Sequence, residues 1–311
     1  MNAHFHDHHS RGHDHDRGHA HDTSRAFVIG IALNVVFVVA EWFFGLMANS
    51  LALIADAAHN FSDVLGLMLA WGALALARRP PSTRFTYGLR SSTVLAALAN
   101  AMLLLVATGG IAWEAVLRFR SAGPVNETIM IWVAALGVLI NAGTALLFIG
   151  GRKTDLNVRG AYLHMAADAG VSLGVALAGL GIMYTGWKWL DPVASLLIVT
   201  VILVGTWSLL RDSIRLALHA APQNVDPVVV RRYLAGLPGV TEVHDLHIWA
   251  MSTTETALTA HLVMPAGHPG DEFFTDVIRQ IEAKYHIGHT TIQIETGTSL
   301  NHCVLAPDHV V

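Results

Sequence analysis

Long apolar runs separated by short polar segments make up this chain as far as about residue 217. A run of about 18 or more apolar residues is long enough to cross a bilayer as a helix. We therefore predict six membrane-spanning helices, at 26–48, 50–77, 92–119, 127–149, 158–185 and 192–216. The chain is expected to be a polytopic α-helical membrane protein.

After Pro222 the pattern changes to one typical of a small α+β domain. Asp226-Pro227 matches a helix start, with an N-cap followed by proline at the first helical position, and the helix is expected to run to Leu237. The stretches GVTEVHDLHIWAM, ETALTAHLVM and HTTIQIE have the composition of strands, and DEFFTDVIRQIEAKYH has helical spacing of its apolar residues. The predicted order is helix, strand, strand, helix, strand.

Basic residues in the predicted loops indicate how the spans are oriented, because cytoplasmic loops are richer in lysine and arginine. The loops after spans 2 and 4 hold Arg78, Arg79, Arg84, Arg90, Arg152, Lys153 and Arg159. The opposite side holds only Arg118, Arg120 and Lys188. This bias predicts that both termini are cytoplasmic, in a multi-pass protein of the cell (inner) membrane. The loop after span 2 has neither histidine nor aspartate, so no metal site is expected there; its arginines would contact lipid headgroups or the C-terminal domain.

Four ionisable side chains lie well inside spans 2 and 5, where burial without a partner is costly. His59 and Asp63 are four residues apart, as are His164 and Asp168, so each pair shares one face of its helix. Two imidazoles and two carboxylates fit tetrahedral Zn²⁺, whereas Mg²⁺ and Ca²⁺ prefer oxygen ligands. A single intramembrane histidine is more simply a helix–helix hydrogen bonder, but two matched pairs favour a metal site. Metal and protons would compete for these ligands, which suggests metal/proton antiport.

Other acidic residues of the spans have more than one interpretation. Asp56 could belong to an outer mouth or could cap a helix near the start of its span. Glu41, Glu114, Asp191 and Asp212 lie near the predicted span ends, where water or interfacial groups could satisfy them, and we expect structural roles for them.

Composition supports the membrane assignment and adds one unusual feature. Hydrophobic residues make up 53% of the chain and charged residues 14%, where soluble domains have about a quarter charged. One cysteine excludes an intramolecular disulfide, and the net charge of −4 points to no particular partner; we expect no nucleic acid. The N-terminus lacks the apolar core of a secretory signal peptide. It is a low-complexity tail suited to loose metal capture, with His4, His6, His8, His9, His13, His15, His19 and His21.

These motifs together resemble the cation diffusion facilitator family, in its zinc-transporting His-Asp/His-Asp type. The resemblance extends over nearly the whole chain: SLALIADAAHNFSD, RFTYGLRSSTVLAALAN, NVRGAYLHMAAD and DPVASLLI in the spans, then GVTEVHDLHIWAM and HTTIQIE. It implies homodimers with six spans and a cytoplasmic, ferredoxin- or metallochaperone-like α+β domain. It also implies export of Zn²⁺ from the cytoplasm, or its sequestration, in exchange for H⁺ through His59, Asp63, His164 and Asp168. In this family, histidine rather than aspartate at position 59 is associated with preference for zinc over cadmium.

In the C-terminal domain the resemblance implies a regulatory zinc site made by His244, His261 and Glu295. Gln293 replaces a histidine of some relatives, so we expect one metal site per domain. His247 is three residues from His244, and in a regular strand the two would face opposite ways unless a bulge intervenes. His289, His302 and Cys303 are further possible ligands, although a solvated surface position is the simpler interpretation for them.

The expected organisation is a tail at 1–25, the membrane domain at 26–217, the α+β domain at 222–297 and a second tail at 298–311. An intramembrane zinc protease is disfavoured, because the chain has no His-Glu-x-x-His stretch and four ligands would leave no position for water. A metal sensor would need only the C-terminal domain. The alternative within the transporter class is a broader exporter of Cd²⁺, Co²⁺ or Fe²⁺.

Overall fold

The computed structural model describes residues 34–120, 123–149, 156–297, 303, 305 and 306. Several predictions lie outside this range: the His-rich tail, the start of the first span, the loop basic residues Arg152 and Lys153, His302, and most of the final tail. Contacts divide the chain into two units. One comprises Met1–Val64 with Ala107–Ile202, and the other comprises Leu65–Val106 with Leu203–Val311.

In the part of the chain that the structure describes, six apolar helices precede the C-terminal domain. They are α1 (Asn34–Ala48), α2 (Leu51–Ala77), α3 (Ser92–Arg120), α4 (Glu127–Phe148), α5 (Leu156–Thr185) and α6 (Leu190–Ala217). Helices α2 to α6 are each long and apolar enough to cross a membrane, and the described part of α1 is shorter. Large apolar side chains on these helices, such as Trp71, Val106 and Leu139, are more than two thirds exposed, as expected of surfaces that face lipid.

Within the first unit, α1, α4 and α5 approach closely at a glycine. A Cβ on Gly137 of α4 would lie 2.7 Å from Cζ of Phe37 on α1 and 2.9 Å from Oγ of Ser172 on α5. A second close approach brings Gly179 of α5 against Ile131 of α4. Small residues allow this kind of contact between membrane helices. The packing fixes α5, which carries half of the predicted intramembrane ligands.

The start of α2 is held by an acidic residue that is distant in sequence. Asp191, at the start of α6, accepts hydrogen bonds from Ser50 Oγ (2.6 Å) and from the backbone N–H groups of Leu51 (2.8 Å) and Ala52 (3.2 Å). Arg118 Nη1 lies 3.9 Å from the same carboxylate. Asp191 is fully buried, so the prediction that water or interfacial groups satisfy it is wrong. Its partners are protein groups, among them Arg118, one of the few basic residues on the side opposite the arginine-rich loops.

The C-terminal domain follows the predicted element order. It consists of α7 (Pro227–Ala235), β1 (Glu242–Ala250), β2 (Thr256–Val263), α8 (Asp271–Tyr285) and β3 (His289–Glu295). Asp226 caps α7 by accepting a hydrogen bond from Val228 N at 2.8 Å, and the helix ends two residues before the predicted Leu237.

The sheet has the order β1-β2-β3, antiparallel between β1 and β2 and parallel between β2 and β3. Alternation along β2 directs Leu258 and Leu262 into a core shared with Leu234 of α7 and Ile281 of α8. His261, one residue out of phase with these leucines, therefore faces the opposite side of the sheet.

Candidate metal centres

Helices α2 and α5 bring the four predicted intramembrane residues together. His164 Nε2 lies 3.3 Å from Asp63 Oδ2 and 3.6 Å from Asp168 Oδ2. His59 Nε2 lies 3.8 Å from both Asp63 Oδ2 and Asp168 Oδ1. Each histidine thus contacts the carboxylate of its own helix and that of the other helix. His59 faces Asp168 and Asp63 faces His164, the crossed order expected of antiparallel helices.

All four of these N–O separations are longer than the 2.7–3.2 Å typical of a hydrogen bond. Asp63 Oδ2, Asp168 Oδ2 and His59 Nδ1 are buried and have no hydrogen-bond partner among the described residues. The side chain of Asp168 is 2% exposed, whereas those of His59, Asp63 and His164 are 22%, 31% and 42% exposed. The cluster therefore has one closed end at Asp168 and lone pairs that are not used within the protein.

A second polar layer lies next to this cluster. Asp56, one turn before His59, is fully buried and accepts hydrogen bonds from Ser172 Oγ at 3.0 Å and Asn60 Nδ2 at 3.4 Å. Asp56 therefore neither lines an exposed mouth nor caps a helix start. Glu41 is also fully buried, with Asp56 and Asn60 as polar neighbours, so the prediction that water or interfacial groups satisfy it is wrong. Apolar periodicity alone did not indicate that α1 directs this carboxyl group inward.

In the C-terminal domain, strand register places the predicted ligands on one face. His244 pairs directly with His261, and Glu295 pairs with Val263, two residues further along β2. Neighbours at such positions lie within side-chain reach. Glu295 Oε1 lies 3.0 Å from His261 Nδ1, and Glu295 Oε2 lies 3.4 Å from His244 Nε2. The three residues named from the sequence form one compact group.

Cys303, for which a solvated surface position was the simpler interpretation, is a half-buried neighbour of this group. Its Sγ lies 3.7 Å from His261 Nδ1. One ligand atom from each of His244, His261, Glu295 and Cys303 lies within 4.8 Å of every other. Burial acts to raise the pKa of Glu295, but the hydrogen bond with Cys303 and the charges of His244 and His261 outweigh it and lower that pKa.

A β-bulge between His244 and His247 determines the positions of Asp245 and His247 in this strand. The register shift opposes His247 to Thr259, and Asp245 has a positive φ of 47°. His247 Nε2 bonds Asp245 Oδ1 at 2.8 Å, and Asp245 Oδ2 lies 3.3 Å from His261 Nε2. His247 thus contacts the group through Asp245. The pattern of alternating residues does not indicate the contact of Asp245 with His261, since the position of Asp245 depends on the bulge.

His289 is exposed at the start of β3 and packs its ring against Tyr87, 5.6 Å between centroids. In the loop after α2, Arg90 Nη1 lies 2.6 Å from Glu255 Oε2 in the turn between β1 and β2. Of the two contacts expected for the loop arginines, Arg90 makes the one with the C-terminal domain.

Models of two known protein domains match almost the whole chain. Residues 27–216 match the cation efflux transmembrane domain, and residues 222–297 match the cation efflux protein cytoplasmic domain. The chain is 38% identical over 272 residues to the metal cation efflux system protein CzcD of Cupriavidus metallidurans, covering 87% of this chain and 86% of the relative. It is 35% identical over 289 residues to the zinc transporter ZitB of Escherichia coli, covering 92% of each. It is 33% identical over 282 residues to a cadmium, cobalt and zinc/H(+)-K(+) antiporter of Bacillus subtilis, covering 88% of this chain and 89% of the relative.

Proposed function

Since this chain belongs to the cation diffusion facilitator family and is a multi-pass divalent metal efflux transporter, we propose that it exports Zn²⁺ from the cytoplasm in exchange for protons. The transport site in this proposal consists of His59, Asp63, His164 and Asp168. The observation that carries it is the convergence of two His-x-x-x-Asp pairs from α2 and α5 inside the apolar helices.

The separations between the ligand atoms suit a small tetrahedral ion. Zn–N and Zn–O bonds of about 2.0–2.2 Å at tetrahedral angles give ligand–ligand separations of about 3.3–3.6 Å. The four N–O separations are 3.3, 3.6, 3.8 and 3.8 Å, and His59 faces Oδ1 of Asp168 while His164 faces Oδ2. The four residues would close on one ion through a contraction of a few tenths of an ångström and a small rotation of that carboxylate. Imidazole and carboxylate are ordinary zinc ligands. Zinc is also named as the substrate of the ZitB relatives.

Proton exchange follows from the chemistry of the same lone pairs. A histidine nitrogen or a carboxylate oxygen that binds Zn²⁺ must be free of its proton, so metal binding releases protons and protonation releases metal. When no metal is bound, protonation of the two carboxylates removes their negative charges, which are costly at a low-dielectric position. The name of the Bacillus subtilis relative, which includes H(+), supports this coupling.

Partial exposure of the cluster gives the ion a way in and out. Three of the four side chains are 22–42% exposed, and Asp168 forms the buried end. An exchange site needs this combination, because a fully enclosed site would hold its ion. We propose alternating access, in which the helices that carry the site expose it to each side in turn.

The orientation and assembly are part of the same proposal. We place the transporter in the inner membrane as a homodimer, with both termini and the α+β domain in the cytoplasm. The arginine-rich loop after α2 and the match to a cytoplasmic dimerisation domain support this arrangement.

A second site, in the C-terminal domain, would hold a resident zinc ion through His244, His261 and Glu295. The fit is supported by His244, which is 3% exposed and whose two ring nitrogens have no hydrogen-bond partner in the described part of the chain. A buried imidazole without a partner is costly, and a metal ion would use its lone pair. The chemistry supplied there would be structural or regulatory.

A broader exporter of Cd²⁺, Co²⁺ or Fe²⁺ is the alternative, and the cadmium and cobalt in the name of the Bacillus subtilis relative favour it. Two imidazoles and two carboxylates bind several divalent ions, and affinity alone does not select zinc among them. Transport of each metal under the same gradient separates the two proposals.

Zinc flux into proteoliposomes under an imposed pH gradient tests the transport site directly. We expect wild-type flux to follow the proton gradient. Asp168→Asn removes one carboxylate charge at constant size and should reduce flux at least about 100-fold, since even groups that only orient a ligand are worth 10–100-fold. Flux of the control Asp212→Asn should be unchanged, because Asp212 lies near the C-terminal end of α6, where its partners are Gln223 at 2.6 Å and Arg211 at 3.7 Å.

Zinc flux that is indifferent to both the gradient and Asp168→Asn would overturn the proposal. Flux that vanishes in the variant but ignores the gradient would keep the site and reject the antiport. Equal fluxes for zinc, cadmium and cobalt would favour the broader exporter.

A further inference from the structure

The sulfur of Cys303 lies beside the ligand group of the C-terminal domain, although Glu295, the last residue of β3, is eight positions earlier in the chain. Its distance of 3.7 Å to His261 Nδ1 is close to the edge of about 3.5 Å expected between sulfur and nitrogen ligands of one tetrahedral zinc ion. The two nitrogen–oxygen edges, 3.0 and 3.4 Å, bracket the value of about 3.3 Å expected between nitrogen and oxygen ligands. These separations between the four residues are close to those around one ion, and the carboxylate of Glu295 directs Oε1 at His261 and Oε2 at His244.

A second observation is independent of the cysteine. The side chain of His244 is 4% exposed, faces this group and lacks a hydrogen-bond partner in the described residues for either ring nitrogen. His261, in contrast, has Asp245 Oδ2 at 3.3 Å on its Nε2, which leaves its Nδ1 directed at Glu295 and Cys303. A carboxylate behind a histidine is the usual support that fixes the ring of a metal ligand.

We propose that Cys303 is the fourth ligand of the C-terminal site, so that one divalent metal ion joins His244, His261, Glu295 and the C-terminal tail. This inference rests on the C-terminal site proposed above and does not depend on the transport site. Ala306 N donates to Cys303 O at 3.1 Å, so a local turn begins at the cysteine.

A thiolate gives this site a chemistry that the transport site lacks. When the metal binds, the S–H bond of Cys303 is broken, its proton passes to water, and the sulfur lone pair forms the bond to the metal. Thiolate favours zinc and other soft ions over hard ions such as Mg²⁺. Four protein ligands close the coordination shell, as in structural zinc sites. The tail would thereby be fastened to β2 and β3 when the metal is present.

Because Cys303 is the only cysteine of the chain, any thiolate-to-metal charge-transfer absorption reports on this one side chain. The full-length chain in detergent, titrated with Cd²⁺, should develop a charge-transfer band that saturates at one thiolate per chain. Cys303→Ser should abolish the band and weaken binding at this site at least about tenfold. Histidines of the N-terminal tail and of the transport site contribute no thiolate band.

Two matched variants separate this proposal from the transport proposal. His244→Ala should weaken the band strongly, while Asp63→Ala should leave it unchanged even if zinc flux is lost. Zinc should also slow alkylation of Cys303 by a maleimide at least about tenfold in wild type and not in His244→Ala. A wild-type chain without the band at saturating Cd²⁺, or a band that survives His244→Ala at full strength, would overturn the assignment of Cys303.

Discussion

The intramembrane cluster and the C-terminal cluster both combine two imidazoles with carboxylates, but opposite local structures hold them together. In the membrane domain each ligand pair is i, i+4 on one helix, so the backbone of α2 or α5 alone presents half of the site. In the C-terminal domain His244 and His261 meet across two strands, and Glu295 comes from a third. A helix pair can shift as rigid halves, whereas a hydrogen-bonded sheet cannot separate its ligands without losing its ladder.

The exposure of the side chains also differs between the two clusters. Three side chains of the intramembrane cluster are 22–42% exposed, whereas His244 is 4% exposed and a thiol lies next to it. In the functions proposed above, similar ligand types would serve exchange in one place and retention in the other. The difference lies in whether the supporting structure lets the ligands separate.

The largest expected effect is a loss of zinc flux that involves the intramembrane cluster and not the C-terminal cluster. Asp63→Ala removes a carboxylate that contacts both intramembrane histidines and should lower zinc flux at least about 100-fold. The folded protein should remain, because the side chain of Asp63 is 31% exposed and its Oδ2 has no hydrogen-bond partner among the described residues. Flux assays in proteoliposomes and size-exclusion chromatography measure the two outcomes.

The flux of Asp63→Ala is interpreted against that of a control variant. Glu114→Gln changes an acidic residue on α3 that pairs with Arg118 and should retain most of the flux. Substantial zinc flux in Asp63→Ala would remove this residue from the transport site.

The second effect concerns the support of α2. Asp191→Ala removes the acceptor for Ser50 and for two N–H groups at the helix start, and leaves Arg118 with one anionic neighbour fewer. Buried groups left without partners cost about 1–3 kcal/mol each, so we expect a loss of about 2–4 kcal/mol in the free energy of unfolding.

Thermal unfolding in detergent should show a clear fall in Tm for Asp191→Ala, with the C-terminal thiolate band retained in the folded protein at lower temperature. Asp212→Asn, at the far end of the same helix, is the matched control and should shift Tm little. Equal stability of the two variants would contradict the role of Asp191 in holding α2.

Much of this fold could be predicted because its signals are local. Span limits follow from apolar length, and the pairs His59/Asp63 and His164/Asp168 follow from helical spacing, so the four residues could be named before any contact was known. Family resemblance supplied His244, His261 and Glu295 on the sheet.

The residues whose surroundings were wrongly predicted are held by contacts between distant parts of the chain. Asp191 meets Ser50 across 141 positions, and Asp56 meets Ser172 across 116 positions. No periodicity within one helix indicates which neighbour a buried carboxylate will have. Asp245 and Cys303 depend on a bulge and on a returning tail, two departures from regular structure that a pattern of alternation does not contain.

A third prediction sharpens the comparison through metal preference. His59→Asp replaces a single nitrogen donor by a carboxylate that can offer two oxygens, which suits ions larger than tetrahedral zinc. We expect the ratio of Cd²⁺ flux to Zn²⁺ flux to rise by about tenfold, mostly through reduced zinc flux. His268→Asp, on the exposed connection before α8, should leave the ratio unchanged. An unaltered ratio in His59→Asp would mean that position 59 does not set selectivity.

The smallest expected effect is in the metal-free C-terminal site. The pKa of Glu295 lies below its ordinary value of 4.5, where burial is outweighed by the thiol of Cys303 and by His244 and His261. A carboxylate with a lowered pKa stabilises the fold above its ordinary pKa, and that contribution is lost as the pH falls through the lowered value. Glu295→Gln, treated with a chelator, should therefore melt below wild type at pH 7, by no more than about 4 °C because the group is partly exposed.

The difference in Tm between wild type and Glu295→Gln should shrink as the pH is lowered from 7 to below 4.5. Glu242→Gln is the matched control: its carboxylate lies 3.7 Å from His244 but is 63% exposed, so solvent screens it and its effect on Tm should be smaller at every pH. Restoring Zn²⁺ at pH 7 should widen the gap for Glu295→Gln, since metal bound only to the folded state adds to its stability. A gap that is the same at all pH values in the presence of chelator would show that Glu295 stabilises the metal-free fold through packing rather than through its charge.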